Sequence, residues 1–221
     1  MGIFKAYDIR GVVPTELDPA LARRIGDAFA RFLRAKRLVV GRDMRTHSPA
    51  IAQAVIEGMR DAGSDVVDIG LASTPMAYFA IGSTDCDGGL NVTASHNTGE
   101  YNGMKLSGRG ATPISAANGI RDVERIATGP ATAPVARRGG VVERDLLAAY
   151  ADHVARFARL EREVRVAVDC ANGMEGYTLS PILERVPRAR ATAIFTELDG
   201  TFERDSRLSA DTIARTPESH T

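Results

Sequence analysis

The chain has 221 residues, of which 44% are hydrophobic and 25% are charged. These proportions are typical of soluble globular proteins, and they exclude collagen, low-complexity disorder and a membrane-spanning segment. The 28 basic residues balance the 28 acidic residues. The composition therefore predicts no nucleic-acid partner and no membrane partner, and any anion site must be local. Charges within the first ten residues argue against a signal peptide, which predicts a cytoplasmic protein.

Strand and helix patterns alternate along the first half of the chain. Apolar residues recur at helical spacing after Asp18, which can cap a helix, and Pro19 suits a first turn. A strand at 38–40 precedes a helix that begins at Ser48 and ends at Gly63. Further elements are predicted as a strand at 66–69, a helix from Thr74, a strand at 88–92 and a helix at 115–126. This alternation predicts a parallel α/β sheet.

The second half begins with a segment at 129–140 that is rich in Pro, Gly and Ala and reads as a linker. A long helix marked by Leu147, Tyr150, Val154 and Phe157, a strand at 164–168, a helix at 177–186 and a strand at 191–196 then predict a second α/β unit. Residues 203–221 are polar, so we expect them to be frayed or disordered. The predicted organisation is a first domain at 1–128, a linker at 129–142, a partial second domain at 143–202 and a divergent tail at 203–221.

Two cysteines, Cys86 and Cys170, have no spacing typical of a disulfide framework or a zinc site. We expect both to be free, buried thiols.

The most unusual stretch is the polar segment 91–105, which follows an apolar strand and is predicted to be a long loop. Ligands gather at the carboxyl ends of strands in α/β sheets. Ser95, with His96 and Asn97 beside it, could serve there as a nucleophile or carry a phosphoryl group, and the alternative is an ordinary turn. A Ser-His-Asp hydrolase fits less well, because adjacent side chains on extended backbone point in different directions and no G-x-S-x-G occurs. There is also no Walker A loop.

Positive charge is supplied by 25 arginines and only three lysines. Because Lys can release its proton in a protein whereas Arg cannot, Lys105 is a candidate proton-transfer group ten residues beyond Ser95. The alternative is a solvated surface lysine.

Two charged stretches could hold an anion. In 7–11, Arg10 could grip a phosphate through two parallel hydrogen bonds, or it could form an ion pair with Asp8 or Asp43. The stretch 41–45 is either a ligand loop or a charge network, and its dense alternating charges favour the network.

Together these stretches resemble the α-D-phosphohexomutase family, which includes phosphomannomutases and phosphoglucomutases. The resemblance rests on four ordered motifs, and it continues more weakly through V-D-C-A-N-G at 168–173 and L-D-G-T-F at 198–202. The four motifs are F-K-A-Y-D-I-R-G at 4–11, G-R-D-M-R at 41–45, S-T-P at 73–75, and T-A-S-H-N at 93–97 with Y-N-G-M-K at 101–105.

The resemblance implies a mixed, mainly parallel sheet with helices on both faces, followed by an incomplete second α/β domain. It also implies an isomerase that interconverts hexose 6-phosphates and hexose 1-phosphates, of mannose or glucose, through a phosphoserine and a hexose 1,6-bisphosphate. Mg²⁺ would be the metal, held through the phosphate on Ser95. The implied roles are phosphoryl carrier for Ser95, proton transfer for Lys105, and catalysis and loop shape for His96. Asn97 would shape the loop and bind phosphate. Tyr7 and Arg10 would face the substrate cleft and bind substrate or its phosphate, and Arg10 would also be catalytic.

The chain departs from this family in two ways. Thr98 stands where the family usually has proline, so we expect a looser loop near Asn97. The resemblance also covers only the first half of a family member, and the D-x-D-x-D metal loop is missing. Asp85-Cys-Asp87 is interpreted as a turn at the start of a strand, so Mg²⁺ should bind weakly.

These departures leave two hypotheses. The chain is a truncated or frame-shifted phosphohexomutase, or it is a non-catalytic product that folds its first domain and only binds phosphate or a partner. For the second hypothesis, the surface left by absent domains favours self-association or poor solubility.

Overall fold

The computed structural model describes residues 2–200, so the tail predicted at 203–221 lies outside the described residues. Its strands are β1 (Ile9–Val12), β2 (Arg37–Arg42), β3 (Asp65–Leu71), β4 (Gly88–Val92), β5 (Tyr101–Gly108), β6 (Val141–Glu143), β7 (Val164–Asp169) and β8 (Ala189–Ile194). Its α-helices are α1 (Pro19–Leu33), α2 (Ser48–Asp61), α3 (Thr74–Ser83), α4 (Ile120–Thr128), α5 (Leu147–Ala155) and α6 (Glu175–Glu184).

The larger sheet of the described chain has six strands in the order β1-β5-β4-β2-β3-β6. Strands β4, β2, β3 and β6 run parallel to one another, whereas β5 runs antiparallel to both β1 and β4. Along β2, Leu38 and Val40 pack with α1, α2 and α4, and Val39 packs on the opposite face with α3. Successive strand side chains point to opposite faces. The mixed, mainly parallel sheet with helices on both faces is therefore confirmed.

Local signals set several of the helix boundaries. Asp18 Oδ1 accepts a hydrogen bond from the Leu21 N–H at 2.7 Å, and Pro19 occupies the first turn of α1, as predicted. The predicted start of α4 at Ser115 is wrong, because the helix begins at Ile120. Asn118 Oδ1 accepts the N–H of Ser115 at 2.5 Å and thereby closes a turn before the helix. Side chains of this kind compete with helical hydrogen bonds.

The predicted loop 91–105 is shorter in the structure, because β5 begins at Tyr101. Asn102, Met104 and Leu106 alternate along β5 and are all buried, which is the period of a strand with one face in the core. Lys105 therefore lies on a strand, and its prediction as a loop residue was wrong.

The segment predicted as a linker packs against the larger sheet's helices. The Val135 N–H donates to Asp61 O at 2.9 Å, and the Gly139 N–H donates to Arg60 O at 3.0 Å. Residues 141–143 form β6 and pair with β3. The segment is thus irregular but held in place, and the division into domains stays a prediction.

The remaining elements form a small parallel pair, β7 and β8, with α6 packed against β8 and α5. Helix α5 ends at Ala155, so Phe157, which the helical pattern included, lies beyond it and is exposed. Cys86 and Cys170 are both buried and free, as predicted. Within residues 2–200, every helix is too short or too polar to cross a membrane.

Candidate active site

Ser95 lies on the loop 93–100, which joins β4 to β5 at the carboxyl end of β4. This end lies beside the carboxyl end of β2, because Arg42 and Val92 are paired in the sheet. Ser95 is exposed and has a φ of 57°, in the left-handed region that non-glycine residues rarely adopt. Its N–H donates to Thr93 Oγ1 at 3.0 Å. The serine hydroxyl is therefore presented to solvent on a turn, where ligands gather in this type of sheet.

His96 lies on the same side of the loop as Ser95. The distance from Ser95 Oγ to His96 Nδ1 is 3.4 Å. The expectation that these two side chains point in different directions is wrong, because the left-handed backbone at Ser95 breaks the extended geometry on which it rested. At this distance His96 is a neighbour of the hydroxyl rather than a closely bonded base.

Arg45 lies beneath this loop and is completely buried. Its Nε donates to Asp43 Oδ2 at 3.1 Å. Nη1 donates to the backbone oxygens of Thr98 at 2.7 Å and Tyr101 at 3.0 Å, and Nη2 donates to those of Ser95 at 3.0 Å and Asn97 at 2.6 Å. Burial lowers the pKa of the Arg45 guanidinium, and the Asp43 carboxylate opposes that shift.

Asp43 is in turn held by a chain of buried polar groups. Its Oδ1 accepts from Ser48 Oγ at 2.5 Å, and Ser48 Oγ accepts from Asn102 Nδ2 at 3.0 Å. Asn102 Oδ1 also accepts the N–H of Gly103 at 2.8 Å. The interpretation of 41–45 as a charge network is confirmed for Asp43 and Arg45. Sequence reasoning missed Ser48 and Asn102, because nothing in their neighbouring residues marks them as partners of Asp43.

A second group of charges lies on β1 and β5. Arg10 Nη2 donates to Asp8 Oδ2, and Lys105 Nζ lies 3.7 Å from the same oxygen. The strand register explains this placement, since Ile9 pairs with Met104 and thereby sets Asp8 opposite Lys105. The ion pair of Arg10 with Asp8 is confirmed. The side chain of Lys105 is 26% exposed, so it is not a freely solvated lysine.

Arg10 also connects this group to the Ser95 loop. Its Nη1 donates to Asn97 Oδ1, while its Nε is buried and donates to no acceptor among residues 2–200. Lys105, Asp8, Arg10 and Asn97 thus form one continuous chain of contacts that ends two residues from Ser95. Tyr7 is 80% exposed beside Asp8. The structure therefore brings Arg10, Asn97 and Lys105 together and leaves the Tyr7 side chain open to solvent.

A cavity of about 300 Å³ adjoins Ser95 and His96. It is lined by residues of four of the motifs named above, including Asp43, Ser73 and Thr93. The buried Cys170 thiol also lines this cavity, and burial, together with Glu175 and Asp169, raises the pKa of that thiol. Cys170 is therefore kept in its neutral form, as expected for a structural cysteine.

Among its described residues, the motif at 198–202 approaches the motif at 41–45. Gly200 has a φ of 69°, and a Cβ there would lie only 2.6 Å from Met44 O. Because the chain can approach Met44 so closely only without a side chain, glycine is required at this position.

The described residues do not form a magnesium site. Among residues 2–200 there is no group of three or more His, Cys, Asp or Glu side chains that could hold a metal ion. Asp43 already accepts hydrogen bonds from Arg45 and Ser48.

The carboxylate of Asp87 is also occupied. It accepts the N–H groups of Lys36 and Arg37 and pairs with Arg109. The interpretation of 85–87 as a turn at a strand start is therefore confirmed. Mg²⁺ needs about six oxygen ligands, which these residues do not provide.

Comparison with known proteins agrees with this arrangement. The family model for phosphoglucomutase/phosphomannomutase, alpha/beta/alpha domain I, matches residues 1–132. A phosphomannomutase of Escherichia coli is 40% identical over 208 residues, which cover 90% of this chain and 46% of that protein. A phosphomannomutase of Klebsiella pneumoniae is 47% identical over 151 residues, which cover 67% of this chain and 96% of that protein.

Among solved structures, a phosphoglucomutase/phosphomannomutase family protein from Burkholderia thailandensis superposes with a TM-score of 0.82 at 34% identity. The match covers 91% of this chain and 45% of that protein. The chain therefore spans about half the length of the Escherichia coli relative and of this structure. The match over the first 132 residues and the shared fold show that the chain belongs to the phosphoglucomutase/phosphomannomutase family of isomerases.

Proposed function

We propose that Ser95 accepts a phosphoryl group and that the chain takes part in the interconversion of hexose 6-phosphates and hexose 1-phosphates. The observation that carries this proposal is the chain of contacts from Lys105 through Asp8 and Arg10 to Asn97 on the Ser95 loop. It brings a proton-transfer candidate and a guanidinium to the loop that presents the serine hydroxyl. Mannose and glucose phosphates are both within the proposal.

In the proposed reaction the phosphoserine P–O bond breaks as a new P–O bond forms to a sugar hydroxyl. The hydroxyl proton passes to Lys105 Nζ, and the released Ser95 Oγ takes up a proton from solvent. In the return step Ser95 Oγ gives its proton back to solvent and attacks the phosphorus at the other end of the bisphosphate. The P–O bond to the sugar oxygen at that end breaks, and Lys105 Nζ gives its proton to this released oxygen. A phosphoserine carries about −1.5 to −2 charges. Arg10, whose Nε–H has no acceptor among residues 2–200, is suited to meet this charge.

Family membership also implies Mg²⁺ and a hexose 1,6-bisphosphate. Because the described residues do not form a magnesium site, no step above depends on a metal held by them. Both components are supplied in the experiments below.

The first experiment tests the acceptor. The chain is incubated with glucose 1,6-bisphosphate and Mg²⁺, and intact mass followed by peptide mapping locates any phosphoryl group. We expect one phosphoryl group on Ser95 and none in Ser95→Ala. The matched control is Ser83→Ala, which removes an exposed hydroxyl at the end of α3 and should be labelled like the native chain. Equal labelling of native chain and Ser95→Ala would contradict the assignment.

The second experiment tests turnover. Conversion of mannose 6-phosphate or glucose 1-phosphate is measured with Mg²⁺ and the bisphosphate, in the native chain and in Ser95→Ala. Loss of a covalent nucleophile should lower the rate by about a thousand-fold or more. Turnover that is unaffected by this substitution would remove Ser95 from the reaction.

A second candidate function is binding of hexose phosphate without turnover. It is favoured by the sharing of one carboxylate, Asp8, between Arg10 and Lys105, which leaves both cations partly neutralised. This function predicts that a hexose phosphate raises the melting temperature while Ser95 stays unlabelled. Phosphoryl transfer predicts labelling, so the mass measurement separates the two.

A further inference from the structure

We propose that Arg45 is a positioning residue, which holds the Ser95 loop in the shape that favours an anion on its outer face. This inference rests on the proposed phosphoryl site at Ser95. It concerns a side chain that does not reach the surface and that sequence reasoning treated only as part of a charge network.

The first argument is the use of every donor that Arg45 has. A guanidinium carries five N–H donors in a fixed plane. One of them bonds to Asp43, and the other four bond to backbone oxygens of the loop and of the first residue of β5. The acceptor residues are spread over the loop, so a single side chain fixes several of its peptide planes. A lysine offers three donors without a planar arrangement, and it cannot replace this pattern.

The second argument is the direction in which the peptide groups must point. In a trans peptide the N–H is directed opposite to the C=O of the preceding residue. The carbonyl groups of Ser95, Asn97 and Thr98 point inward to Arg45. The N–H groups of His96, Thr98 and Gly99 must therefore point away from Arg45, toward the exposed side of the loop.

The third argument is electrostatic. Arg45 is fully buried, whereas Ser95 and His96 are exposed, so the two faces of the loop lie in different environments. Successive backbone N–H groups in a turn conformation can form an anion-binding concavity. By drawing the carbonyl groups inward, Arg45 leaves the positive ends of three peptide dipoles on the face where a phosphoryl group on Ser95 would stand.

Arg45→Lys tests the structural half of the inference through amide hydrogen exchange. The informative amides are those of Asn97 and Tyr101, which hydrogen-bond to Ala94 O and Thr98 O within this region. We expect both to exchange at least about 10-fold faster in Arg45→Lys, since two or more charge-assisted bonds are lost. Amides in α1 should be unchanged. Unchanged exchange at Asn97 and Tyr101 would overturn the proposal.

The matched control is Arg60→Lys. Arg60 also donates from Nε to a backbone oxygen, that of Gly139 at 2.9 Å, but it lies on α2 and makes no bond to the Ser95 loop. The same substitution there should leave exchange at Asn97 and Tyr101 as it is in the native chain.

The rate of Ser95 labelling by glucose 1,6-bisphosphate and Mg²⁺ tests the positioning half. We expect labelling at least about 10-fold slower in Arg45→Lys than in Arg60→Lys. Faster exchange with an unchanged labelling rate would overturn the positioning role and leave the proposed function intact. Absence of labelling in the native chain would instead remove the proposed function, and the exchange data would still decide whether Arg45 fixes the loop.

A milder variant serves if Arg45→Lys fails to fold. Ser48→Ala removes the 2.5 Å bond to Asp43, which orients the guanidinium, and it leaves Arg45 itself in place. Exchange at Asn97 and Tyr101 should rise by about three-fold. No change in this variant would also count against the proposal.

Discussion

Two irregular segments of this molecule are held by arginine side chains, and the two arrangements differ in burial. The Ser95 loop rests on Arg45, which is completely buried and bonded through all five donors. The segment 129–140 is held at the surface, where Arg138 binds Asp61 and Glu57 and Arg23 binds Asp61 from the other side. The side chains of Arg23 and Arg138 are 54% and 41% exposed.

We expect burial, rather than the number of ion pairs, to decide how much such a network contributes to the free energy of unfolding. Loss of one partner inside the protein leaves a charge without water or counter-charge, which costs several kcal/mol. Loss of one partner at the surface is largely compensated by solvent and salt. The predictions below test this contrast, from the buried network to the tip of the loop.

The largest effect is expected for Arg45→Met. This change leaves Asp43 buried beside four backbone oxygens that have lost their donor. We expect the free energy of unfolding to fall by about 3–5 kcal/mol. Urea denaturation followed by circular dichroism measures it, and a loss below about 1 kcal/mol would show that burial does not set the contribution of this arginine.

A smaller effect is expected for Asp61→Asn in the second network, where Asp61 itself is only 9% exposed but its arginine partners face solvent. Asp61 accepts from Arg23 at 2.6 Å and from Arg138 at 2.8 Å. Because both arginines are about half exposed, the free energy of unfolding at pH 7 should fall by only about 1–2 kcal/mol. Asp122→Asn breaks a fully surface pair with Arg125 and should leave stability unchanged within error. A loss in Asp61→Asn as large as that of Arg45→Met would erase the contrast.

The same variant predicts a dependence on pH. Burial alone would raise the pKa of Asp61, but the hydrogen bonds from Arg23 and Arg138 outweigh it and hold that pKa below its usual value. A depressed carboxyl pKa contributes stability above the unfolded-state value of about 3.9, and this contribution is lost as the pH falls through the folded-state value. The stability difference between the native chain and Asp61→Asn should therefore be constant near neutral pH and should close in acid. A difference that persists in acid would assign it to packing.

Features set by neighbouring residues could be predicted from the sequence, whereas contacts between distant residues could not. Local signals were sufficient to predict α1, in which the capping residue Asp18 directly precedes Pro19 of the first turn. They were also sufficient to predict the buried strand β4. The motif around Ser95 was also recognisable, because its residues are contiguous. The acceptors of the Arg45 hydrogen bonds could not be recognised in the sequence. They extend from Asp43 to Tyr101 and meet only when β2, α2 and β5 are assembled.

Two wrong predictions have related causes. Lys105 was assigned to a loop because the segment 91–105 is polar, yet Asn102 within that segment is buried on β5 and bonds to Ser48. The divergence of the Ser95 and His96 side chains was predicted from extended backbone, and the left-handed φ at Ser95 is imposed by a turn that the sequence does not mark with glycine. In both cases tertiary contacts override local preference.

The smallest effect is expected at Thr98, at the tip of the loop. Thr98 Oγ1 donates to Glu100 Oε1 at 2.6 Å, and the Thr98 N–H makes no hydrogen bond to another described residue. Thr98→Pro should therefore raise the free energy of unfolding by about 0.5–1 kcal/mol, because proline restricts the unfolded chain and no described bond is lost at its nitrogen. Thr98→Ala should lower it by about 0.5 kcal/mol through the lost hydroxyl bond. Urea denaturation of both variants, with exchange at Asn97 as a local probe, measures these changes. A fall of more than about 1 kcal/mol in the free energy of unfolding of Thr98→Pro would contradict this prediction. It would mean that the hydrogen bonds from Arg45 require a backbone conformation at 97–98 that proline does not allow. The buried side of the loop alone would then determine its conformation.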